Sequence, residues 1–452
     1  MLKLGYTTDD KGEYHGLYLP DEDRSTHLYV LGSSGVGKSK ALANWVIEDI
    51  KERRGCGVID PHGDLIKDIV GNVFDFEDVI QVDLADPDHI IGFNPLEIQP
   101  GIDSFTQTLE LLEVFRKIWD LSDATTPRLL EILRNSIYTL IEAGGTMLDI
   151  EPLLTNKTFR DDMIRYVKNE AVALFWENRF NRWSEKDKIQ YVESTLNKVS
   201  TFTSDPRIRL MLSVKESTID FREVMDSGKT ILINLSKGVL KTNSYLLGAL
   251  FVAKIQMAAM SRVHLPAAER RPFYFYVDEF QNYATESFTE IMSEARKYGL
   301  SLILAHQNLA QLNPKLKEGI LSNAKNFVCF RLDRVDAELL IKYITDIDPF
   351  AWKTRKGDDY EWMNIQEQWE EGISELTNLN TQVAVLKTKG KEPTFFRTYD
   401  LPESDNFEDH LDNIRSENLK RGYNRKLEDI DNSLMLQSSS LVEPDEPENF
   451  VE

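Results

Sequence analysis

Short apolar runs, rich in β-branched and aromatic residues, recur along the chain: HLYVLG from His27, CGVID from Cys56, VIQVDL from Val79, TILINL from Thr230, FYFYVDEF from Phe273, LSLILAHQ from Leu300, NFVCFRL from Asn326 and QVAVLK from Gln382. Several are continuous rather than alternating, the pattern of central strands buried on both faces of a parallel sheet. Between them lie segments with helical spacing of apolar residues, such as Ala41 to Arg53 and Ser287 to Tyr298. The alternation predicts an α/β fold with a doubly wound, mostly parallel sheet.

From about residue 104 to 227 the strand signal stops. FTQTLELLEVFRKIW, TPRLLEILRNSIYTLIEAG and KIQYVESTLNKVSTF place apolar residues at i, i+3, i+4 and i+7, which predicts an inserted all-α subdomain. The expected organisation is therefore 1–103 and 228–400 as two parts of one α/β domain, 104–227 as the insertion, and 401–452 as a tail. That tail holds 14 acidic and 5 basic side chains. Residues 407–434 are expected to form a solvated helix, and MLQSSSLVEPDEPENFVE to be disordered. No internal repeat is evident.

Charge narrows the partners. The 452 residues carry a formal net charge of −22, which argues against nucleic acid wrapped over the outer surface and leaves room only for a local basic channel. Cys56 and Cys329 stand far apart without metal-ligand spacing, so neither a disulfide framework nor a zinc site is expected, and the compartment is expected to be reducing. The opening MLKLGYTTDDKGEYHG lacks the apolar run of a signal peptide. YLLGALFVAKIQMAAM, 245 to 260, is shorter than the roughly 20 residues that span a bilayer and is interrupted by Lys254. The expectation is a buried helix and a cytoplasmic chain with no membrane span of its own, brought to the inner face of a membrane only by a partner.

GSSGVGKS, Gly32 to Ser39, fits G-x-x-x-x-G-K-[ST] between an apolar strand and a helix. In such a loop the backbone of Ser33, Ser34, Gly35, Val36 and Gly37, continuing through Lys38, Ser39 and Lys40, turns N–H groups toward phosphate, and the helix adds its positive end. Lys38 would reach the β and γ phosphates and Ser39 would supply a hydroxyl to Mg²⁺. FYFYVDEF ends in Asp278 and Glu279 at the carboxyl end of a buried strand, where ligands sit in open α/β sheets. Asp278 fits the Mg²⁺ shell and Glu279 the polarisation of an attacking water; a strand running out into solvent would also end this way. Gln307, closing the next strand, can hydrogen-bond both water and γ-phosphate; an ordinary loop amide would read the same way.

The ordered set HLYVLGSSGVGKS, GVIDPHGDL, ILINLSKG, FYFYVDEFQNYATESFTEIMSEARKYGLSLILAHQNLAQL and NAKNFVCFRLDRVDAELL resembles the HerA/FtsK superfamily of DNA-pumping ATPases. Within it, the match is closest to the motor domain of type IV secretion coupling proteins of the TraD/TraG kind. The resemblance covers about residues 1 to 400. It implies a RecA-like P-loop NTPase that assembles as a ring, usually a hexamer, and threads DNA through its channel using Mg-ATP. By residue, it implies that Lys38, Ser39, Asp278, Glu279 and Gln307 form the nucleotide site and that Arg296, in EARKYG, is an arginine finger reaching a neighbour's site. A solvated arginine beside Lys297 is the plain alternative. Arg331 is a second finger candidate. In DPHGD, Asp60 or His62 would line the site, although a tight Pro-Gly turn explains the same residues.

The function this predicts is a DNA translocase coupling DNA to conjugation or type IV secretion. Two other functions fit the same residues: a HerA-like DNA-processing motor working with a nuclease, and a secretion-assembly ATPase that does not bind DNA. FWENRFNRW, 175 to 183, interleaves aromatics with Arg179 and Arg182 and fits either single-stranded DNA stacking or a helical core. The acidic tail fits recruitment of a relaxase or secretion-channel partner, or simple solubility.

Overall fold

The computed structural model describes residues 1–285, 288–348, 350–354 and 360–427. All eight apolar runs are strands of one eleven-stranded sheet. In chain order its strands are β1 (Leu2–Thr8), β2 (Tyr14–Leu19), β3 (Leu28–Leu31), β4 (Gly55–Asp60), β5 (Val79–Asp83), β6 (Thr230–Asn234), β7 (Phe273–Asp278), β8 (Leu300–His306), β9 (Asn326–Cys329), β10 (Val383–Thr388) and β11 (Thr394–Arg397). The spatial order is β2-β1-β11-β10-β9-β3-β8-β7-β4-β6-β5. The stretch from β9 to β5 is parallel throughout. From β9 to β2 every pairing is antiparallel.

Side chains of the parallel strands alternate between two cores. Leu28, Val30, Val58, Leu232, Tyr274, Tyr276 and Ile303 face one, with helices α1 (Lys38–Lys51) and α2 (Asp64–Asn72). Tyr29, Leu31, Ile59, Ile231, Ile233, Phe275 and Leu302 face the other, with α3 (Ser104–Ile118) and α4 (Asn243–Met260). Burial on both faces is why these strands read as continuous apolar runs. The hairpin β1–β2 is unanticipated in the sequence, because its residues mix buried and exposed positions with polar side chains.

Between Ile90 and Thr230 every regular element is helical. In this region Phe175, Trp176 and Phe180 are buried, with Trp176 and Phe180 ring centroids 4.9 Å apart. Arg179 pairs with Glu131, and Arg182 donates to Asn178. Phe175, Trp176 and Phe180 of FWENRFNRW are thus core, while Trp183 is half-buried against them.

Helix α4 and the turn after it, 243–264, are long and apolar enough to cross a membrane and lie almost wholly buried within the fold. Lys254 is inside this helix, 3% exposed, and donates to the Glu97 carbonyl at 2.8 Å. Burial pushes its pKa down to about 8 from 10.5. The unfolded chain therefore binds more protons between pH 8 and 10.5, and this lysine adds stability as pH rises through that window. Thermal melts from pH 7.5 to 10 are expected to show a relative gain in the wild type that Lys254→Met lacks.

The segment after Pro402 is not the long solvated helix expected. Helix α5 (Phe407–Lys420) is shorter and buries His410, Leu411, Ile414 and Asn418. The His410 Nδ1 lies 2.9 Å from the Val70 carbonyl of α2, and Arg415 pairs with Asp86 just after β5 at 2.7 Å. Arg425 and Lys426 then pair antiparallel with Ile90 and His89. An amphipathic segment covers the outer edge of the sheet, a common protection against edge pairing. The serine-rich and acidic stretch from 428 lies outside the described residues.

Candidate nucleotide site

Strand register builds the site. Leu31 lies level with His306 on one side and Cys329 on the other. Ile59 pairs with Val277, so Asp60 ends β4 beside Asp278 at the end of β7. The phosphate-shaped loop thus leaves β3 at the edge where both acids emerge, the carboxyl edge expected of an open α/β sheet.

The loop is shaped by two close fits. A Cβ on Gly32 would stand 2.6 Å from the Cβ of Phe330, so only glycine allows this approach to β9. Gly37, the residue before α1, has φ +105°, a conformation that side chains resist. The Ser33 N–H donates to the Arg331 carbonyl at 2.9 Å, and the Gln382 N–H donates to the Val36 carbonyl at 2.9 Å. Val36 is buried, whereas Ser34, Gly35 and Ser39 are exposed. Lys40 turns to Asp68 at 2.8 Å, so its side chain is engaged away from the loop.

Lys38 is 7% exposed and folds onto the loop, donating to the Gly32 carbonyl and to that of Ser33 at 2.9 Å. Burial lowers its pKa, and the charges of Asp278 and Glu279 oppose that shift. Asp278 is itself buried. Burial first, then the neighbouring charges of Asp60 and Glu279, push its carboxyl up to about 7, against the pull of Lys38. Asp60 accepts from the His62 N–H at 2.8 Å and the Ile66 N–H at 3.0 Å, bracing the turn into α2, while the His62 ring is exposed. Asp60 thus braces the turn and also stands beside Asp278, and His62 contributes its backbone to the turn.

Glu279 adopts a left-handed conformation, φ +49°, the kind of backbone strain that collects at functional sites. Its Oε1 accepts from the Gln307 amide and its Oε2 from the Gln281 amide, each at 2.5 Å. The two strand-end residues singled out in the sequence, Glu279 and Gln307, are thus in direct contact.

Arg296 lies elsewhere. It is exposed in the turn Ala295–Tyr298, ahead of the amino end of β8. Seven residues at about 3.3 Å each put roughly 20 Å between the two ends of that strand. Its helix is also shorter than expected, Phe288–Glu294 followed by the 3₁₀ turn, with Ser287 outside the described residues. Arg331 is exposed beside the phosphate loop, at the carboxyl edge.

Two neighbours were invisible in the local sequence pattern. Tyr283 is 2% exposed, its hydroxyl has no hydrogen-bond partner among the described residues, and it feels the charges of Asp60 and Asp278. His306 is buried against the Tyr29 hydroxyl, and burial pushes its pKa down to about 3, so it stays neutral. Loop carbonyls and N–H groups, one ammonium, three carboxylates and an unpartnered hydroxyl make a polar donor set suited to phosphate with a divalent cation.

Comparison with known proteins bears on the same residues. The family described as "Helicase HerA, central domain" matches residues 2–253, and "TraM recognition site of TraD and TraG" matches 272–345. No curated protein matches the chain by sequence. Among solved structures, the plasmid coupling protein TrwB in complex with a non-hydrolysable GTP analogue superposes with a TM-score of 0.59 at 17% identity, covering 85% of this chain and 88% of that one. TrwB with ADP and Mg²⁺ gives 0.58 at 18% identity, covering 86% and 88%. VirB4 of Thermoanaerobacter pseudethanolicus gives 0.56 at 15% identity, covering 89% and 96%. At these identities the likeness is one of fold: a RecA-like P-loop NTPase architecture. With more than half its length matched, the chain belongs to the HerA family.

Proposed function

We propose that the protein is an oligomeric ATPase that moves DNA, coupling it to a conjugation or type IV secretion apparatus. The observation that carries this is the division of the site's parts between opposite edges of the sheet. Lys38, Asp278, Glu279 and Gln307 gather at the carboxyl edge, and Arg296 stands at the amino edge. An arginine that cannot reach its own site suits head-to-tail contacts closing into a ring, for which six subunits is the expected number. TrwB, which shares the fold, is a conjugative coupling protein, and the match to a TraM recognition site supports a relaxosome or secretion partner.

In this reading Lys38 leaves the loop carbonyls to hold the β and γ phosphates. Ser39 and Asp278 would hold Mg²⁺, which when bound neutralises phosphate charge. Glu279 orients the attacking water and takes its proton, and Gln307, already bonded to Glu279, links that carboxylate to the γ-phosphate.

Purified protein is expected to hydrolyse ATP faster with single- or double-stranded DNA than without. An assembled oligomer whose rate ignores both would overturn the DNA reading and favour an ATPase acting on secretion machinery. Mixing Arg296→Ala subunits with Lys38→Ala subunits is expected to restore part of the activity, because a mixed interface can contain one intact half from each. Absence of any rescue sinks the trans role of Arg296.

A further inference from the structure

We infer that Lys117, at the end of α3 in the helical region, is a positioning residue for Glu279 and links that region to the hydrolytic centre. The inference rests on the hydrolysis reading above and adds to it a residue that no motif contains.

Its basis is a chain of contacts. The Lys117 ammonium donates to the Gln281 carbonyl at 2.8 Å and to the Ala284 carbonyl. These two carbonyls belong to the turn that immediately follows Glu279. The side-chain amide of the same Gln281 donates to Glu279 Oε2 at 2.5 Å. One ammonium therefore sets the position of the residue that sets the carboxylate. Gln307 holds the other oxygen from β8, so the rotation of the Glu279 carboxylate is fixed from two sides, and only one of them belongs to the sheet.

The chemistry of Lys117 argues against a packing role. Among the described residues it has no carboxylate partner, and burial lowers its pKa to about 8. Partly burying a cation against neutral carbonyls alone has a cost, and a methionine of similar length would fill the space without it. What the ammonium supplies is a pair of charge-assisted hydrogen bonds, which are shorter and stronger than neutral ones. They hold a turn whose first residue is in a strained left-handed conformation. Because α3 is the first helix of the region between β5 and β6, a displacement of that region would reach Glu279 through this contact.

The test is steady-state ATP hydrolysis by full-length Lys117→Met, Lys117→Arg, Gln281→Leu and the double variant Lys117→Met/Gln281→Leu, with melting temperatures for each. Lys117→Met is expected to lower kcat about tenfold with KM for ATP and the melting temperature unchanged, and Lys117→Arg to recover part of the loss. Gln281→Leu is expected to give a similar loss, and the double variant no more than the larger single loss, as coupled residues do. Multiplicative losses, an unchanged kcat in Lys117→Met, or a loss matched by a raised KM and a lower melting temperature would each overturn the positioning role while leaving hydrolysis intact. Should Lys117→Met fail to fold, Gln281→Leu decides, since it keeps the ammonium contact; an unchanged kcat there overturns the link. A wild type without ATPase activity overturns both this inference and the function beneath it.

Discussion

Glu279→Gln is expected to cut ATP hydrolysis by at least about 100-fold, in line with the usual worth of a general base, while nucleotide affinity changes by no more than a few-fold. The carboxylate accepts amide bonds from Gln281 and Gln307, one on each oxygen. A glutamine side chain has one acceptor oxygen in place of two and an amide that cannot take a proton. It would keep one of the two tethers and lose the proton acceptor. Phosphate binding depends instead on the loop and on Lys38, whose hydrogen bonds go to the Gly32 and Ser33 carbonyls and do not involve Glu279. Single-turnover hydrolysis alongside titration with a fluorescent ATP analogue separates these effects, with Lys38→Ala as the variant expected to lose binding. Hydrolysis within tenfold of the wild type would remove Glu279 from the water-activating role.

The second large effect concerns stability. Asp49→Ala is expected to cost about 3–5 kcal/mol, the usual penalty for stranding one partner of a buried ion pair. Arg24 and Asp49 are both fully buried. The Arg24 guanidinium donates to Asp49 Oδ1 at 2.7 Å and also to Oδ2, and the Tyr276 hydroxyl donates to Oδ2 at 2.7 Å. The guanidinium also lies 3.4 Å from the Tyr274 ring centroid. Without the carboxylate, Arg24 is left as a cation at 0% exposure with the Arg54 guanidinium nearby. The double variant Arg24→Met/Asp49→Leu is expected to regain most of the loss, because replacing both charges with apolar groups removes the desolvation cost as well as the attraction. Urea unfolding of the three proteins checks this; a single variant within about 1 kcal/mol of the wild type would show that the pair contributes little. Asp49 sits near the far end of α1, the helix that begins at Lys38.

How much was legible in advance follows from how local the signals are. The seven parallel strands and their neighbour β10 show themselves because burial on both faces demands unbroken apolar runs. The loop and the two strand-end acids show themselves because phosphate chemistry prescribes both residue type and spacing. The hairpin β1–β2 does not, since a strand that borders solvent tolerates Tyr14 and His15 in exposed positions. Gln382 braces the loop through a backbone bond in a left-handed conformation that side-chain type does not announce. Lys117 meets Gln281 across most of a folding unit, and nothing about a lysine near a helix end distinguishes it from one facing water. In the tail, net acidity outweighed the periodic Leu411 and Ile414 that dock α5. In FWENRFNRW the arginines suggest an interface, yet three of the four aromatics beside them are needed for the helical core.

The threading of the sheet also sets an order of events during synthesis. Strand β3, from which the phosphate loop springs, is flanked by β8 and β9, and the loop's Val36 carbonyl is bonded by Gln382. Strand β1, near the start of the chain, pairs with β11 close to residue 397. A nascent chain therefore carries the loop sequence early, but its flanking strands β8 and β9 are complete only at His306 and Cys329, and its brace comes later still, at Gln382. Such late long-range pairing is slow and leaves strand edges open meanwhile, so nucleotide binding is expected to require the chain through Gln382, and truncations before that residue are expected to lose it together.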